Sequence, residues 1–496
     1  VGVQSDPAKM TAPAVPAPSP TQFSGGGAPG TRKLAAQVAR RIEADILASG
    51  WQVGTVFGSE TELRERYGVS RAVLREAIRL VEHHEVATMR RGPSGGLVVR
   101  APEAGALTAA MVIYLEHVGT SVEDLLAVRL LLEPLAARLA ADRMNEEGIE
   151  ALRETLKQEL GSPEDIGGSD LLHSALGRLS GNAALRLFVD VLVDLTGRYA
   201  RRPKRATREE AASIKRASDH AHGAVANAII AGDTGLAEQR AVRHLEAMRK
   251  WLLSIRQRPI DSTTRPSDHE GNGGKLAETV ARRLMSDIAA SGAHVGEVVG
   301  SEPELLERYG VSRAVFREAV RLLEYHSVAR MRPGPGGGLV VAEPDATASI
   351  EAMALYLDYE AISVEDLRAV RDVIEIGSLE LVTARHADPE VAERLEAVVS
   401  AKEASPSVEL AHHLHAEIAD LSGNPVLALF LRIITTVWAR HTSSLKSDLS
   451  EQAREAAYEM SAHVHQKIVD AIVAGDPPLA RHRMRRHLEA LDSWWQ

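Results

Sequence analysis

Displaced by 242 residues against itself, the 496-residue chain shows a long match without gaps. Ser59–Glu82 reads SETELRERYGVSRAVLREAIRLVE and Ser301–Glu324 reads SEPELLERYGVSRAVFREAVRLLE, identical at 19 of 24 positions. The register runs from Leu34/Leu276 through Gly96/Gly338 to Ser121/Ser363 and Glu133/Glu375. It then weakens, and resumes with a one-residue shift near the end of each half. Repetition on this scale implies one unit used twice rather than a string of unrelated domains. Between the halves, Arg258–Gly274 is polar, rich in Pro and Gly and free of periodicity, which reads as a linker. Val1–Gly30, rich in Pro, Ala, Ser and Gly, reads as a disordered tail without the apolar core of a signal peptide.

Composition removes several classes of function. There is no cysteine, so disulfides, thiolate zinc fingers, iron–sulfur clusters and cysteine nucleophiles are excluded together. That absence fits a reducing cytoplasm, the expected location. No apolar run approaches the roughly 18–20 residues that span a bilayer, and no membrane partner is expected. Aromatics are only 4%, while Ala, Leu, Arg and Glu dominate, which predicts a mainly helical protein.

In each half the first 70 or so residues carry the signs of a DNA reader. Leu34, Val38, Ile42 and Ile46 line one face of a helix. Glu60–Tyr67 predicts a short helix, Gly68-Val69-Ser70 a tight turn, and Arg71–His83 a longer helix capped by Ser70. Arg71, Arg75 and Arg79 recur every four residues on one face, where guanidinium groups can meet guanine edges or phosphates. Val86–Val99 (VATMRRGPSGGLVV) predicts two short strands around a basic, Gly-rich tip that includes Arg91 and Gly92. The second half repeats the pattern with Ser312, Arg313, Arg317 and Arg321, and a wing tip including Arg332 and Gly334. The net charge is −10, yet Thr31–Arg100 holds 12 basic and eight acidic side chains. Gly273–Ala342 holds nine and eight, so the second reader is electrostatically weaker. The run E-L-x-E-R-Y-G-V-S-R-A-V-x-R-E-A resembles the winged helix of GntR-type bacterial transcription regulators. The resemblance implies that Arg71, Arg75, Arg313, Arg317 and the wing-tip Gly92 and Gly334 contact operator DNA. Members of the FadR subfamily commonly carry Arg directly after the Ser-Glu or Ala-Glu of the first reading helix; here Thr61 and Pro303 stand there.

The remaining 150 or so residues of each half read as wholly helical. Ser121-Val-Glu-Asp and Ser363-Val-Glu-Asp are capping boxes that open helices. Gly232-Asp233 and Gly475-Asp476 end one helix and start the next, and Pro134 is a candidate kink. Three histidines recur: His173, His222 and His244, then His415, His465 and His487. His222 lies ten residues before Gly232, and His244 eleven after Asp233. On antiparallel helices both stand about 15 Å from the turn, at similar height and within reach of one ion. Neutral imidazoles in this arrangement suit Zn²⁺, Ni²⁺ or a related divalent metal. The region resembles the FCD effector domain of the FadR subfamily, whose metal-containing members add an Asp four residues before the first His. Ser169 and Ala411 occupy those positions, and Asp170 and His412 are the nearest substitutes. The resemblance implies an ion that helps bind a small carboxylate effector, for which Arg129 and Arg371 are candidate clamps.

The expected fold class is therefore mainly α: two winged helix-turn-helix domains, at 31–100 and 275–343, each followed by an FCD-like antiparallel bundle, at 101–257 and 344–496. The expected function is a DNA-binding transcription regulator, most simply a repressor, acting as a covalent pseudo-dimer on double-stranded operator DNA. Its expected effector is a small carboxylate bound beside a metal. A metal-free pocket for an acyl-CoA or lipid is the alternative. A metal-dependent hydrolase is disfavoured, because no HExxH helix, GxSxG elbow or P-loop accompanies the histidines.

Overall fold

The computed structural model describes residues 28–92, 95–160, 171–200, 208–256, 274–291, 293–325, 328–334, 336–343, 345–404, 408–447 and 451–493. Most of the N-terminal tail, nearly all of the linker, and Asp170 lie outside them. The chain divides into two compact units, Val1–Ala101 and Pro102–Gln496.

The first unit contains α1 (Ala28–Ala48), β1 (Val56–Gly58), α2 (Glu60–Tyr67), α3 (Arg71–His83), β2 (Ala87–Arg90) and β3 (Gly96–Val99). Local chemistry sets these boundaries. Ser59 and Glu62 form a reciprocal capping box at the start of α2. Gly68, at φ 63°, ends α2 in the left-handed region that a side chain resists. The Ser70 hydroxyl accepts from the Val73 amide and opens α3. Ala77, Ile78 and Val81 face inward with Val38, Ile42 and Ile46, all buried. The wing pairs antiparallel, from Ala87↔Val99 to Arg90↔Gly96. The order is β1-β3-β2, so β1 adds a third strand that the sequence pattern does not predict. α1 begins at Ala28, inside the segment expected to be tail.

The second unit opens with α4 (Ala104–His117), α5 (Val122–Asp142), α6 (Glu146–Leu160), α7 (Leu171–Leu179), α8 (Ala183–Ala200), α9 (Arg208–Ile230) and α10 (Thr234–Arg256). A second reader follows: α11 (Gly274–Ser291), β4 (Val298–Gly300), α12 (Glu302–Tyr309), α13 (Arg313–Tyr325), β5 (Ala329–Arg332) and β6 (Gly338–Val341). Its strands take the matching order β4-β6-β5. A second bundle completes it: α14 (Thr347–Tyr359), α15 (Val364–Ala384), α16 (Pro389–Ala404), α17 (Val408–Leu421), α18 (Pro425–Ser447), α19 (Glu451–Val473) and α20 (Pro477–Ser493). α5 runs unbroken through Pro134. The Ser121 box is reciprocal as expected. At Ser363 the hydroxyl still caps Asp366, but the Asp366 carboxylate meets Arg143 of the other bundle at 2.7 Å.

The two bundles share one apolar core. Phe188 of α8 stacks on Phe430 of α18, ring centroids 3.9 Å apart and planes within 5°. These residues are related by the same 242-residue register. Two reciprocal hydrogen bonds flank them. The Asn182 amide donates to the Asp366 carbonyl at 2.8 Å, and the Asn424 amide to the Asp124 carbonyl at 3.0 Å. Each Asn oxygen meanwhile caps its own helix, α8 or α18. Ile113 of α4 packs into the core of the second reader beside Leu284, Phe316 and Leu339. The helix that leads out of the first reader thus buttresses the second. Among the described residues no helix is long and apolar enough to cross a membrane. Truncating the stack by Phe188→Ala is expected to cost about 3–5 kcal/mol, read as a lower denaturant midpoint for the transition of the two-bundle unit. A loss below about 1 kcal/mol would show that the bundles do not depend on this contact.

Candidate functional site

The arginine face of α3 is open. The side chains of Arg71, Arg75 and Arg79 are 63%, 56% and 74% exposed. Arg71 and Arg75 share one carboxylate oxygen of Glu60, at 2.8 and 3.0 Å, and Arg79 meets Glu76. The hydrogen bond from Arg71, with that from Arg75, holds the Glu60 carboxyl below its ordinary range, although burial opposes them. In the second reader Arg313 and Arg317 share Glu302 at 3.1 and 3.4 Å, and Arg321 meets Glu318. Ser312 accepts from the Val315 amide, as Ser70 does from Val73. At the wing tips Arg91 is exposed, and Gly92 and Gly334 adopt φ of 116° and 100°, where a Cβ would be strained. Arg332 donates to the Gly336 carbonyl at 3.0 Å. Pro93, Ser94 and Pro335 lie outside the described residues. Glu60 and Glu302, which hold these arginines, carry no signal of that role in the helical pattern.

The two histidine trios close into two compact clusters. His222 and His244 face each other from α9 and α10 with Nε2 atoms 3.0 Å apart, and His173 of α7 brings its Nε2 within 3.3 Å of His244. In the second bundle the His415–His487 and His465–His487 Nε2 separations are 3.2 and 2.9 Å. All six are buried. The tautomers follow from what surrounds them. His173 Nδ1 lies 2.5 Å from a Glu133 oxygen and His222 Nδ1 2.8 Å from a Glu159 oxygen. A carboxylate only accepts, so Nδ1 carries the proton and Nε2 turns its lone pair inward. His415 is held in the same way by Glu375.

Burial disfavours charging His222 and His244. It pushes His222 below its ordinary value, and His244, with two imidazoles beside it, down to about 2. These two stay neutral ligands. A tetrahedral ion with metal–nitrogen bonds of 2.0–2.1 Å sets its ligands about 3.3 Å apart, close to the spacing found. The donor set therefore fits a divalent metal. Asp170 lies outside the described residues, as does the side chain of His412, so neither expected substitute ligand is assigned a place.

Arg129 and Arg371 sit beside the clusters, on α5 and α15, and are 0% and 3% exposed. Each Nε is bound to the carboxylate four residues on, Glu133 or Glu375, which also orients the first histidine. Burial alone would raise the Glu133 carboxyl. Arg129 and His173 outweigh it and hold the group down at about 2. Glu375 is lowered for the same reasons by Arg371 and His415. Both Nη atoms of Arg129, and Nη2 of Arg371, are buried without a hydrogen-bond partner. A buried guanidinium with open donors beside converging imidazole lone pairs is equipped to receive an anion. The sequence pattern does not mark Glu133, Glu375 or Glu159 for this role; the match of Glu133 with Glu375 across the two halves is the signal that could have found the first two.

The family model described as "FCD domain" matches residues 124–247 and 366–490. "Bacterial regulatory proteins, gntR family" matches residues 34–98. The chain belongs to the GntR family of bacterial regulatory proteins and carries the FCD domain at two places. Its domains are those of transcription regulators, not of enzymes. The Uxu operon regulator of Haemophilus influenzae is 30% identical over 168 residues, 32% of this chain and 56% of that protein. The chain thus spans little more than half the length of that relative. The HTH-type transcriptional regulator LutR of Bacillus subtilis is 28% identical over 208 residues, 39% of this chain and 89% of LutR. A solved Streptococcus agalactiae GntR aligns with 99% of its own length and 44% of this chain, at 23% identity and a TM-score of 0.31.

His222→Ala and His244→Ala together are expected to remove one bound divalent ion per chain, measured by elemental analysis after purification without chelator or nickel resin. Glu159→Gln, which weakens the acceptor that orients His222, is expected to lower metal affinity about 10–100-fold. Unchanged metal content in the double His variant would exclude this trio as the ligand set.

Proposed function

We propose that the chain is a transcriptional repressor whose two winged helices together read a two-part operator. It releases that operator when a small carboxylate binds in FCD pockets that hold a divalent ion such as Zn²⁺ or Ni²⁺. One observation carries the effector half of this reading: buried Arg129, with two open Nη donors, stands beside three imidazoles whose Nε2 atoms converge. A divalent ion held by His173, His222 and His244 would supply open positions for a carboxylate oxygen. Arg129 would donate to the anion from the side, and Glu133 keeps both the guanidinium and His173 in place. The converging imidazoles favour this reading over a metal-free acyl-CoA pocket.

The DNA half rests on the exposed arginine faces of α3 and α13 and on the family. Two-fold regulators of the helix-turn-helix kind bind paired half-sites about one helical turn apart. Here one polypeptide carries both readers, so it would act as its own dimer on an imperfect palindrome. The packing within the second unit supports a route from pocket to reader. α8 lies against α5, which bears Arg129, and against α4, whose Ile113 enters the core of the second reader. An anion that shifts α5 against α8 would bias the placement of that reader.

With an operator obtained by sequencing genomic fragments captured on the purified protein, Arg71→Ala combined with Arg75→Ala is expected to weaken binding at least thirtyfold in a mobility-shift assay. Unchanged affinity would overturn the assignment of this face. Metal-loaded protein is expected to lose operator affinity when the effector carboxylate is added. A carboxylate that binds the pocket but leaves operator affinity unaltered would overturn the proposed control.

A further inference from the structure

The contact that joins the bundles is matched at its centre. Phe188 stacks on Phe430, and Asn182 and Asn424 reach across in the same way, so these residues would serve a pairing of two first halves, or of two second halves, equally well. Selection between like and unlike halves has to come from positions where the register sets different residues. Two such positions meet across the contact. Gly377, buried in α15, lies against Leu131 of α5: a Cβ built on this glycine would overlap Leu131 Cδ1 and stand 3.3 Å from Cδ2. The counterpart of Gly377 in the first half is Leu135, and that of Leu131 is Val373. A turn of the Leu131 side chain makes room for one methyl, but a leucine brings three further carbons into a closed core. Two first halves would thus set Leu131 against Leu135, and two second halves would set Val373 against Gly377 and leave a void. The other position is polar. Arg186 of α8 donates to the Tyr356 hydroxyl of α14 and stands 3.6 Å from Glu360 at the end of that helix. The register pairs Tyr356 with Tyr114, but Glu360 with Val118 and Arg186 with Ala428. This ion pair exists only where a first half meets a second.

We infer that the bundle contact is selective: Leu131 over Gly377 and Arg186 beside Glu360 admit the unlike half and reject a like one. Like pairs are overpacked or hollow at the first contact and lack the charge pair at the second, so the discrimination uses repulsion as well as attraction. The selection matters in a chain that carries both halves. Halves that paired like with like would join one copy to another, whereas unlike pairing closes within a single chain. Each closed pair then brings together one reader of each kind, the more basic and the less basic. The inference rests on the packing of the bundles and does not depend on the effector or metal reading above.

The test is equilibrium unfolding of the full-length chain in denaturant. Gly377→Leu gives the second half the first half's residue and recreates the like contact; it is expected to lower the midpoint of the two-bundle transition. Leu131→Ala is expected to lower the midpoint of the wild type but to raise that of Gly377→Leu, a reversal of sign that a clash between these two positions produces. Should Gly377→Leu alone fail to fold, the double variant is expected to fold. Glu360→Val recreates the second like contact, and in that background Arg186→Ala is expected to cost less than it does in wild type. A Gly377→Leu midpoint at or above that of wild type, as removal of a helical glycine gives where space is free, would overturn the inference. So would a Gly377→Leu defect that Leu131→Ala does not relieve. An equal cost of Arg186→Ala in both backgrounds would overturn the part assigned to the charge pair.

Discussion

Each pocket is organised around a carboxylate buried where water cannot reach it. Glu133 is 1% exposed and Glu375 2% exposed. An ionised group in such a place persists only when its lone pairs are taken up by positive or donating partners. Here one oxygen takes the arginine four residues earlier on the same helix, and the other takes a histidine from a different helix. That pairing ties α5 to α7 and α15 to α17. It fixes the histidine tautomer, and it leaves both Nη atoms of Arg129, and Nη2 of Arg371, buried without a partner. Withdrawing one partner from such a set leaves an uncompensated charge, a loss of about 3–5 kcal/mol. The same carboxylate that stabilises the bundle would therefore also prepare the proposed ion site and the proposed anion site beside it.

Much of the fold was legible because its signals are local. The boundaries of α2 and α3 follow from Ser59, Gly68 and Ser70, each acting within four residues of itself, and the observed helices begin and end where those residues place them. The histidine hairpin was legible for a similar reason: helical rise and a turn at Gly232-Asp233 suffice to bring His222 opposite His244. β1 was not legible, since three residues are too few to show alternation, and the strand exists only because β3 offers it an edge. Glu133 and Glu159 were not legible either. On a helix, glutamate is ordinarily a solvated residue, and only the folded chain reveals that these two point at histidines 40 and 63 residues away. Asn182 and Asn424 match in the register of the repeat, but the hydrogen bond from Asn182 to the Asp366 carbonyl, 184 residues away, is a tertiary fact.

The asymmetry between the halves has a physical logic. In a dimer of identical subunits any substitution appears twice, and a residue near the two-fold axis must tolerate its own image. Two similar halves on one chain escape that requirement. At the centre of the contact the residues remain matched, because Phe188 and Phe430 must stack on one another and Asn182 and Asn424 must reach across in the same way. Away from it the halves differ. Asp124 is satisfied by its own capping box, while Asp366 spends its carboxylate on Arg143. A buried Glu43–His84 pair, 2.6 Å apart, braces the first reader, whereas Met285 stands in the second where Glu43 stands in the first. Trp438 stacks over Arg371, where its counterpart Thr196 turns its hydroxyl to the Leu192 carbonyl. The halves stay matched where a residue must meet its own counterpart, as Phe188 meets Phe430, and are free to differ elsewhere, even where a side chain such as Asp366 crosses to the other bundle. A single chain can thus keep a two-fold contact at its centre while the two halves diverge around it.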